Sequence, residues 1–371
     1  MTLASKTYCI DISNKLDHEQ LKSTWRNLES NNNELSFFHS WAWIETWLHI
    51  YKPKTLLVSA KYEGETVAIG LFGQAQEIRH HLIKSNQIRL FQTGDQQEDQ
   101  IWVEFNDFLC HPDHREEASK ACLNALLSDE YRCDEIVISM ILKSRAESLL
   151  KNFNHASISL STPTFKTNLQ QLSANKDHYL DSLSRNTRYQ INHSKKKYEN
   201  LYGTLKLSFA RNIKQALQYW EEAGELHIKK WHDSGFQNPK FVSFHKEFMM
   251  KNFDSGMIDV AKITAGNHLV AIIYNIIYKQ NVYFYLQGLQ YETDGKLKPG
   301  LTAHSMLIEH YLQQGMSSYD FMGGYSQYKK QLSQAVENLL IIKIQQPLLK
   351  FRVESIARNI KQKILSPDKT S

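Results

Sequence analysis

The sequence predicts an α/β protein made of two related mixed-sheet units, and three observations carry that prediction. Hydrophobic residues make up 42% and charged residues 22% of the 371 residues, a globular balance with apolar material for two cores at roughly 100–200 residues per domain. A hairpin signature then occurs twice: Ala-Lys-Tyr-Glu-Gly-Glu-Thr-Val-Ala-Ile at 60–69 and Ala-Lys-Ile-Thr-Ala-Gly-Asn-His-Leu-Val-Ala-Ile at 261–272. Gly64 and Gly266 supply the positive φ that a tight turn between two strands requires. Finally, the elements after each hairpin come in the same order, so each half reads β-β-β-α-β.

In the first half the strand Gln87–Gln92 succeeds the hairpin. A helix over Arg115–Leu127 comes next, with Ala118, Ala121, Cys122, Ala125 and Leu126 on one side, then the strand Glu135–Met140. In the second half the strand Val282–Gln287 precedes a helix over Leu301–Gln313, which Gly315 stops as a left-handed cap, and the strand Ser318–Met322. Two helices introduce this second hairpin. One, over 212–232, places Ile213, Leu217, Trp220, Gly224, His227 and Trp231 on a stripe; the other, over 241–253, uses Phe241, Phe244, Phe248 and Met249, and Gly235 and Gly256 stop them. Ser, Thr, Asn and Gln dominate 160–175, which sets a boundary there. The expected division is an N-terminal unit at 1–165, a second unit at 166–345 and a basic amphipathic helix at 346–371. Pro347 suits the first turn of that helix, whose apolar positions are Leu349, Val353, Ile356, Ile360 and Ile364.

Composition excludes several classes. The net charge is +5, of which residues 350–371 contribute +4 (six Lys/Arg, two acids), so the body is almost neutral and DNA binding is not expected. The longest aliphatic run, Leu339–Ile342, is far short of the roughly 20 residues of a membrane span. The N-terminus lacks a basic region leading into an apolar one, so no secretory signal is expected. Cys9, Cys110, Cys122 and Cys133 form no CxxC pair and read as reduced thiols of a cytoplasmic protein. His80-His81 and His111-Pro-Asp-His114 lack a third ligand at suitable spacing, so no metal is assigned.

Four segments carry chemistry. Lys298-Pro299-Gly300 opens the helix at Leu301, where unpaired N–H groups and partial positive charge suit a phosphate; an ordinary loop-to-helix junction is the competing reading. Gly295-x4-Gly300 is not a Walker loop, because Leu301 stands where the lysine must be. Asp320, at a strand end before Gly323-Gly324, suits a base or a cap on the following turn. Arg185, Arg188 and Lys195–Lys197 form a basic cluster that could grip phosphate or be a solvated face. His227 and Trp231 share an apolar stripe, where a histidine is more often a core residue than a base. No Gly-x-Ser-x-Gly elbow or outstanding cysteine is present, which favours direct transfer over a covalent enzyme intermediate.

The segments Leu183-Ser-Arg-Asn-Thr-Arg188, His227-Ile-Lys-Lys-Trp231, Lys298-Pro-Gly300, Tyr319-Asp-Phe-Met-Gly-Gly324 and Tyr328-Lys329, in that order, resemble the GNAT-type acyltransferases of the CelD/BioF2-like group, relatives of the FemAB aminoacyl transferases. The resemblance covers about 175–335, and the first half resembles the degenerate N-terminal copy of tandem members. One departure is Gln331-Leu332, where a tryptophan often follows the Tyr-Lys pair. The resemblance implies a tandem GNAT-like acyl-CoA N-acyltransferase fold and transfer of an acetyl or other acyl group from acetyl-CoA or another acyl-CoA to an amine. The acceptor it implies belongs to cell-envelope or exopolysaccharide synthesis, a small-molecule or sugar-linked amine such as an amino sugar. It implies that Lys298, Pro299, Gly300, Leu301 and Thr302 hold the pyrophosphate of coenzyme A. Asp320, Tyr328, Lys329 and His227 become candidate catalytic residues, with Tyr328 donating to the leaving thiolate, and Arg185, Arg188 and Trp231 candidate substrate contacts. The alternatives are a FemAB-like transferase using aminoacyl-tRNA and a catalytically inactive polysaccharide-assembly factor. The basic C-terminal helix is a candidate for peripheral membrane contact.

Overall fold

The computed structural model of the chain describes residues 6–79, 82–128, 131, 133–175 and 178–354. Strand β1 (Cys9–Ser13) leads into helices α1 (His18–Ser30) and α2 (Trp41–Tyr51). Strands β2 (Thr55–Tyr62), β3 (Glu65–Arg79) and β4 (Ile83–Leu90) come next, with the short β5 (Leu109–Cys110) beside β3. Helix α3 (Arg115–Leu126), strand β6 (Glu135–Leu142), helix α4 (Lys143–Leu150) and strand β7 (Ala156–Asn168) complete the first half. Helices α5 (Leu169–Asn175) and α6 (Arg185–Tyr202) then introduce the second half. Its order is β8 (Leu205–Phe209), α7 (Ile213–Lys230), α8 (Pro239–Asn252), β9 (Ile258–Ala265), β10 (His268–Tyr278) and β11 (Asn281–Leu289). It ends with α9 (Pro299–Gln313), β12 (Ser318–Gly323), α10 (Gln327–Leu332) and β13 (Gln334–Gln345). Apart from β5 and the introductory helices α5 and α6, the two halves present the same succession of strands and helices.

The repeated hairpins form as the sequence predicts. Glu63 and Gly64 both take positive φ between Tyr62 and Glu65, while Gly266 alone does so between Ala265 and His268. These are two-residue turns of the primed kind, whose twist matches that of their strands. Gly315 takes φ +73° just past α9, as expected of a left-handed cap. Other expectations fail for identifiable reasons. Helix α7 ends at Lys230, two residues short of the expected 232, with Trp231 in extended backbone as its cap, so the Trp231 ring leaves the buried stripe. The polar run at 160–175, read as a boundary, holds the end of strand β7 and helix α5; most residues of β7 before Thr164 keep solvent contact, so the strand needs no apolar alternation.

Among the described residues twelve strands run in the order β1-β2-β3-β4-β6-β13-β7-β12-β11-β10-β9-β8. The two halves meet by exchange: β7, which closes the first half, pairs with β12, and β13, which closes the second half, pairs with β6. β7 and β13 then pair with each other, fusing two units into one mixed sheet. An apolar core common to both halves reinforces the seam, with Trp43 of α2 edge-on to Phe244 (4.6 Å) and Phe248 (5.3 Å) of α8. A second core lies under α5, α6 and α9.

The wall formed by α7 on β11 is tight. A Cβ built on Gly288 would stand 2.6 Å from the Ala223 Cα and 2.7 Å from its carbonyl oxygen. Gly288→Ala is therefore expected to lower the unfolding free energy by about 1–3 kcal/mol in urea titration. Gly295→Ala, where a Cβ meets nothing within 4 Å, should change it by less than about 0.5 kcal/mol.

The C-terminal segment is helical over 349–354. Phe351 lies buried beneath the Arg79 guanidinium (5.3 Å), Glu354 pairs with Arg79 (2.9 Å) and Lys350 with Asp134 (2.6 Å), while Leu349 and Val353 stay exposed. The rest of the expected tail helix, residues 355–371, and the His80-His81 pair lie outside the described residues.

Candidate active site

Two parallel pairs, one per half, decide where a ligand fits. β4 pairs with β6 over Gln87–Arg89, and β11 with β12 over Asn281–Tyr283. β11 then runs on for six residues, to Leu289, while β12 turns away, so the strands open into a fork. A bulge at Tyr285, unpaired between Phe284↔Asn275 and Leu286↔Tyr274, turns β11 at this point. Beyond Tyr283 the fork edge of β11 has no neighbouring strand among the described residues and leaves backbone polar groups free for a ligand.

A cavity of about 580 Å³ fills the fork, bounded by Phe284–Gln287 of β11, Phe321–Gly323 of β12, Lys329 of α10 and the end of α7 from His227 to Asp233. Two further walls come from the first half of the chain, Trp102 and Glu104. The Glu104 carboxylate accepts the Gly323 N–H (2.6 Å). Lys329 Nζ donates to the Gly323 carbonyl (2.5 Å), so the Gly323 backbone is held at both polar atoms. The space there is tight: a Cβ would meet Leu339 Cδ1 at 3.0 Å and Glu104 Oε2 at 3.1 Å, so those side chains would have to shift.

Burial pushes the Glu104 carboxyl up to about 7, against the opposing pull of the Gly323 N–H and the Lys329 ammonium, while the Asp320 charge adds to the rise. Lys329 is lowered, chiefly by burial, with Glu104 and Asp320 resisting. The result is a carboxyl that changes charge near neutral pH on the wall of a cavity, the profile of a general base.

The other predicted residues divide by position. His227 and Trp231 line the same cavity as Lys329. His227 Nδ1 is paired with Ser234 Oγ (2.8 Å), its Nε2 has no hydrogen-bond partner among the described residues, and burial lowers its pKa. Asp320 sits behind the wall: Oδ1 accepts the Met322 N–H (2.7 Å) and Oδ2 lies 3.6 Å from Lys166 Nζ. That bond supports the left-handed backbone of Met322 (φ +58°), the turn by which β12 leaves the fork. Burial raises the Asp320 pKa, with the Lys166 charge opposing. Tyr328 stacks on the buried His304 (5.6 Å, 10° between rings), and burial holds its phenol protonated.

The segment 298–302 starts α9 at the open end of the fork, where a Cβ on Gly300 would stand 3.3 Å from Leu289 Cδ1. Pro299 occupies the first helical position, and Leu301 and Thr302 are buried, Thr302 against Ser194 Oγ (2.9 Å). The Ser194 hydroxyl also accepts the Lys298 N–H (2.9 Å). The Gly300 and Leu301 N–H groups find no acceptor among the described residues, and the first turn holds no acid. Those two amides and the adjacent Lys298 cation fit an anionic group. Arg185 and Arg188 lie apart from the fork, with Tyr189, Asn192, His193 and Lys196 along a shallow groove on α6, and Arg188 pairs with Asp181 (2.6 Å). Among the described residues no group of three or more His, Cys, Asp or Glu side chains is placed to hold a metal ion, and no helix is long and apolar enough to cross a membrane.

Residues 185–330 match the family model described as an acetyltransferase (GNAT) domain. No curated protein matches the chain by sequence. Among solved structures the chain resembles FemX, at 10% identity and a TM-score of 0.56, covering 92% of this chain and 99% of that one. It also resembles L-PGS from Bacillus licheniformis, at 11% identity and a TM-score of 0.54, covering 92% and 96%. A third likeness is to a tandem GNAT protein from the clavulanic acid biosynthesis pathway, at 9% identity and a TM-score of 0.50, covering 91% and 98%. At such identities the likenesses concern the fold, and that fold is the tandem GNAT arrangement.

Proposed function

From the premise that residues 185–330 are a GNAT-type acetyltransferase domain, which makes the chain a transferase of the acyl-transferring kind, we propose that it moves an acyl group from acyl-coenzyme A to an amine inside the fork. The observation that carries this reading is the carboxyl of Glu104, poised near neutrality where the two strands part.

Bound in the fork, a coenzyme A thioester would supply an acyl carbon activated for attack by nitrogen. Gly300 and Leu301, with Lys298, would hold its diphosphate, and the free edge of β11 would pair with its amide-bearing arm as an added strand. Glu104, as carboxylate, takes a proton from the acceptor ammonium and leaves the nitrogen lone pair free to form the new C–N bond. Lys329 fixes the Gly323 peptide on which Glu104 rests. His227, through its free Nε2, is a second proton carrier at the acceptor end, and Trp231 offers it an aromatic wall. Tyr328 is proposed as the proton source for the departing thiolate, and Asp320 as the group that shapes β12. The acceptor is proposed to be a small or sugar-linked amine of envelope or exopolysaccharide synthesis, and the site of action the cytoplasm. The exposed Leu349 and Val353 favour surface contact of the tail with a membrane.

A second donor, aminoacyl-tRNA, is favoured by one feature, the cationic groove of Arg185, Arg188, His193 and Lys196 on α6. Native mass spectrometry of the purified chain separates the two. The thioester reading expects copurified coenzyme A or an acyl derivative in the low-mass fraction. Stoichiometric tRNA without coenzyme A would transfer the proposal to the second donor.

A further inference from the structure

The first half contains a fork at the place that corresponds to the active one, and the chain itself fills it. β4 ends at Leu90, one residue past its last pair with β6 (Arg89↔Val137), whereas β11 runs six residues past Tyr283. Between the diverging ends lies Asn106, almost fully buried. Its N–H donates to the Met140 carbonyl of β6 (3.1 Å) and its side-chain Nδ2 to the Leu90 carbonyl of β4 (2.9 Å). One residue therefore makes the bonds that a ligand in this fork would make. The next helix, α3, begins with Glu116 and Glu117, an acidic first turn that repels phosphate, unlike the acid-free start of α9.

The segment that fills the first fork is also the one that reaches the second. Trp102 (φ +49°) and Phe105 (φ +54°) hold left-handed backbone on either side of Glu104, and the Tyr285 hydroxyl of β11 donates to the Ile101 carbonyl (2.6 Å). Strained, doubly anchored backbone of this kind persists where surrounding structure fixes it. We infer that residues 102–108, by closing the first fork, hold the second one in shape: Asn106 is a positioning residue that sets Glu104 against Gly323. This deepens the acyl-transfer reading and rests on it for the role of Glu104.

Two measurements test it, and the second is independent of any donor. Isothermal titration with acetyl-coenzyme A should give one site per chain; two sites, or a site surviving in Gly300→Glu, would overturn the closed fork. Absence of all binding would count against the proposed donor instead, and the positioning role would then be decided by linkage alone. Between the ordinary carboxyl value of 4.5 and about 7, folded Glu104 keeps its proton and the unfolded chain releases it, so stability falls as pH rises through that window. Urea midpoints at pH 4.5 and pH 8 should therefore show Glu104→Gln gaining on wild type at the higher pH. Lys329, Asp320 and Tyr285 face Glu104, and His227, Lys230, His232 and Asp233 border its cavity; all are present in every variant, so the comparison reads Glu104 together with its coupling to these groups. In an Asn106→Ala background the gain should shrink at least threefold, as the carboxyl moves into water and titrates lower. If it is undiminished, Asn106 merely packs and the inference fails. Should Asn106→Ala not fold, Asn106→Ser, too short to reach Leu90, takes its place with the same two outcomes.

Discussion

Glu104→Gln is expected to reduce kcat/KM for acetyl transfer to a primary amine by roughly a hundredfold or more, the range that a positioned general base contributes. The amide can still accept the Gly323 N–H, so the turn of β12 is kept and the loss reports proton transfer rather than misfolding. The sign of the pH effect comes from the elevated carboxyl. Its base form accumulates as pH rises through about 7, so the wild-type rate should climb across that range and the variant should lack that limb. A variant with the same rising limb would assign it to another group.

The second large effect concerns the donor. Gly300→Glu should weaken acetyl-coenzyme A binding by roughly a hundredfold, about 2.7 kcal/mol. It puts a carboxylate beside the two amides that would receive the diphosphate. The same charge at a helix N-terminus is favourable to the helix, by about 0.3–1 kcal/mol. Among the described residues, the one atom within 4 Å of a Cβ there is the tip of a flexible leucine, Leu289, at 3.3 Å. Binding and stability should therefore move in opposite directions, an outcome that a general disruption of α9 cannot produce. Thermal denaturation beside calorimetry reads both.

Local chemistry made much of this fold legible. The paired hairpins could be read because Gly64 and Gly266 sit where only positive φ closes the turn, and α9 because its apolar spacing ends at Gly315. Lys329, His227 and Trp231 meet at one cavity because the second half folds as a unit around its fork. What escaped is what depends on the seam. β7 is polar because it remains wet, so its composition resembles a connection. Glu104 is separated by 219 residues from the Gly323 amide that it accepts, and no spacing rule joins them. The available signal was weak: a single acid between Val103 and Phe105, in a stretch otherwise suited to burial. Asp320 shows the converse. Its motif is legible, but the structure uses its carboxylate to bond the Met322 N–H, one step behind the cavity wall. Arg185 and Arg188 are legible as a pair, yet α6 carries them to a different surface.

Acyl transfer is proposed to occur where β11 and β12 part. A crystal structure of the chain with a non-hydrolysable acyl-coenzyme A analogue tests it most directly. The diphosphate is expected on the Gly300 and Leu301 amides, the amide-bearing arm along Phe284–Leu289, and the acyl end facing Glu104. An analogue bound along the α6 groove, or seated in the N-terminal half with the fork left to solvent, would contradict it.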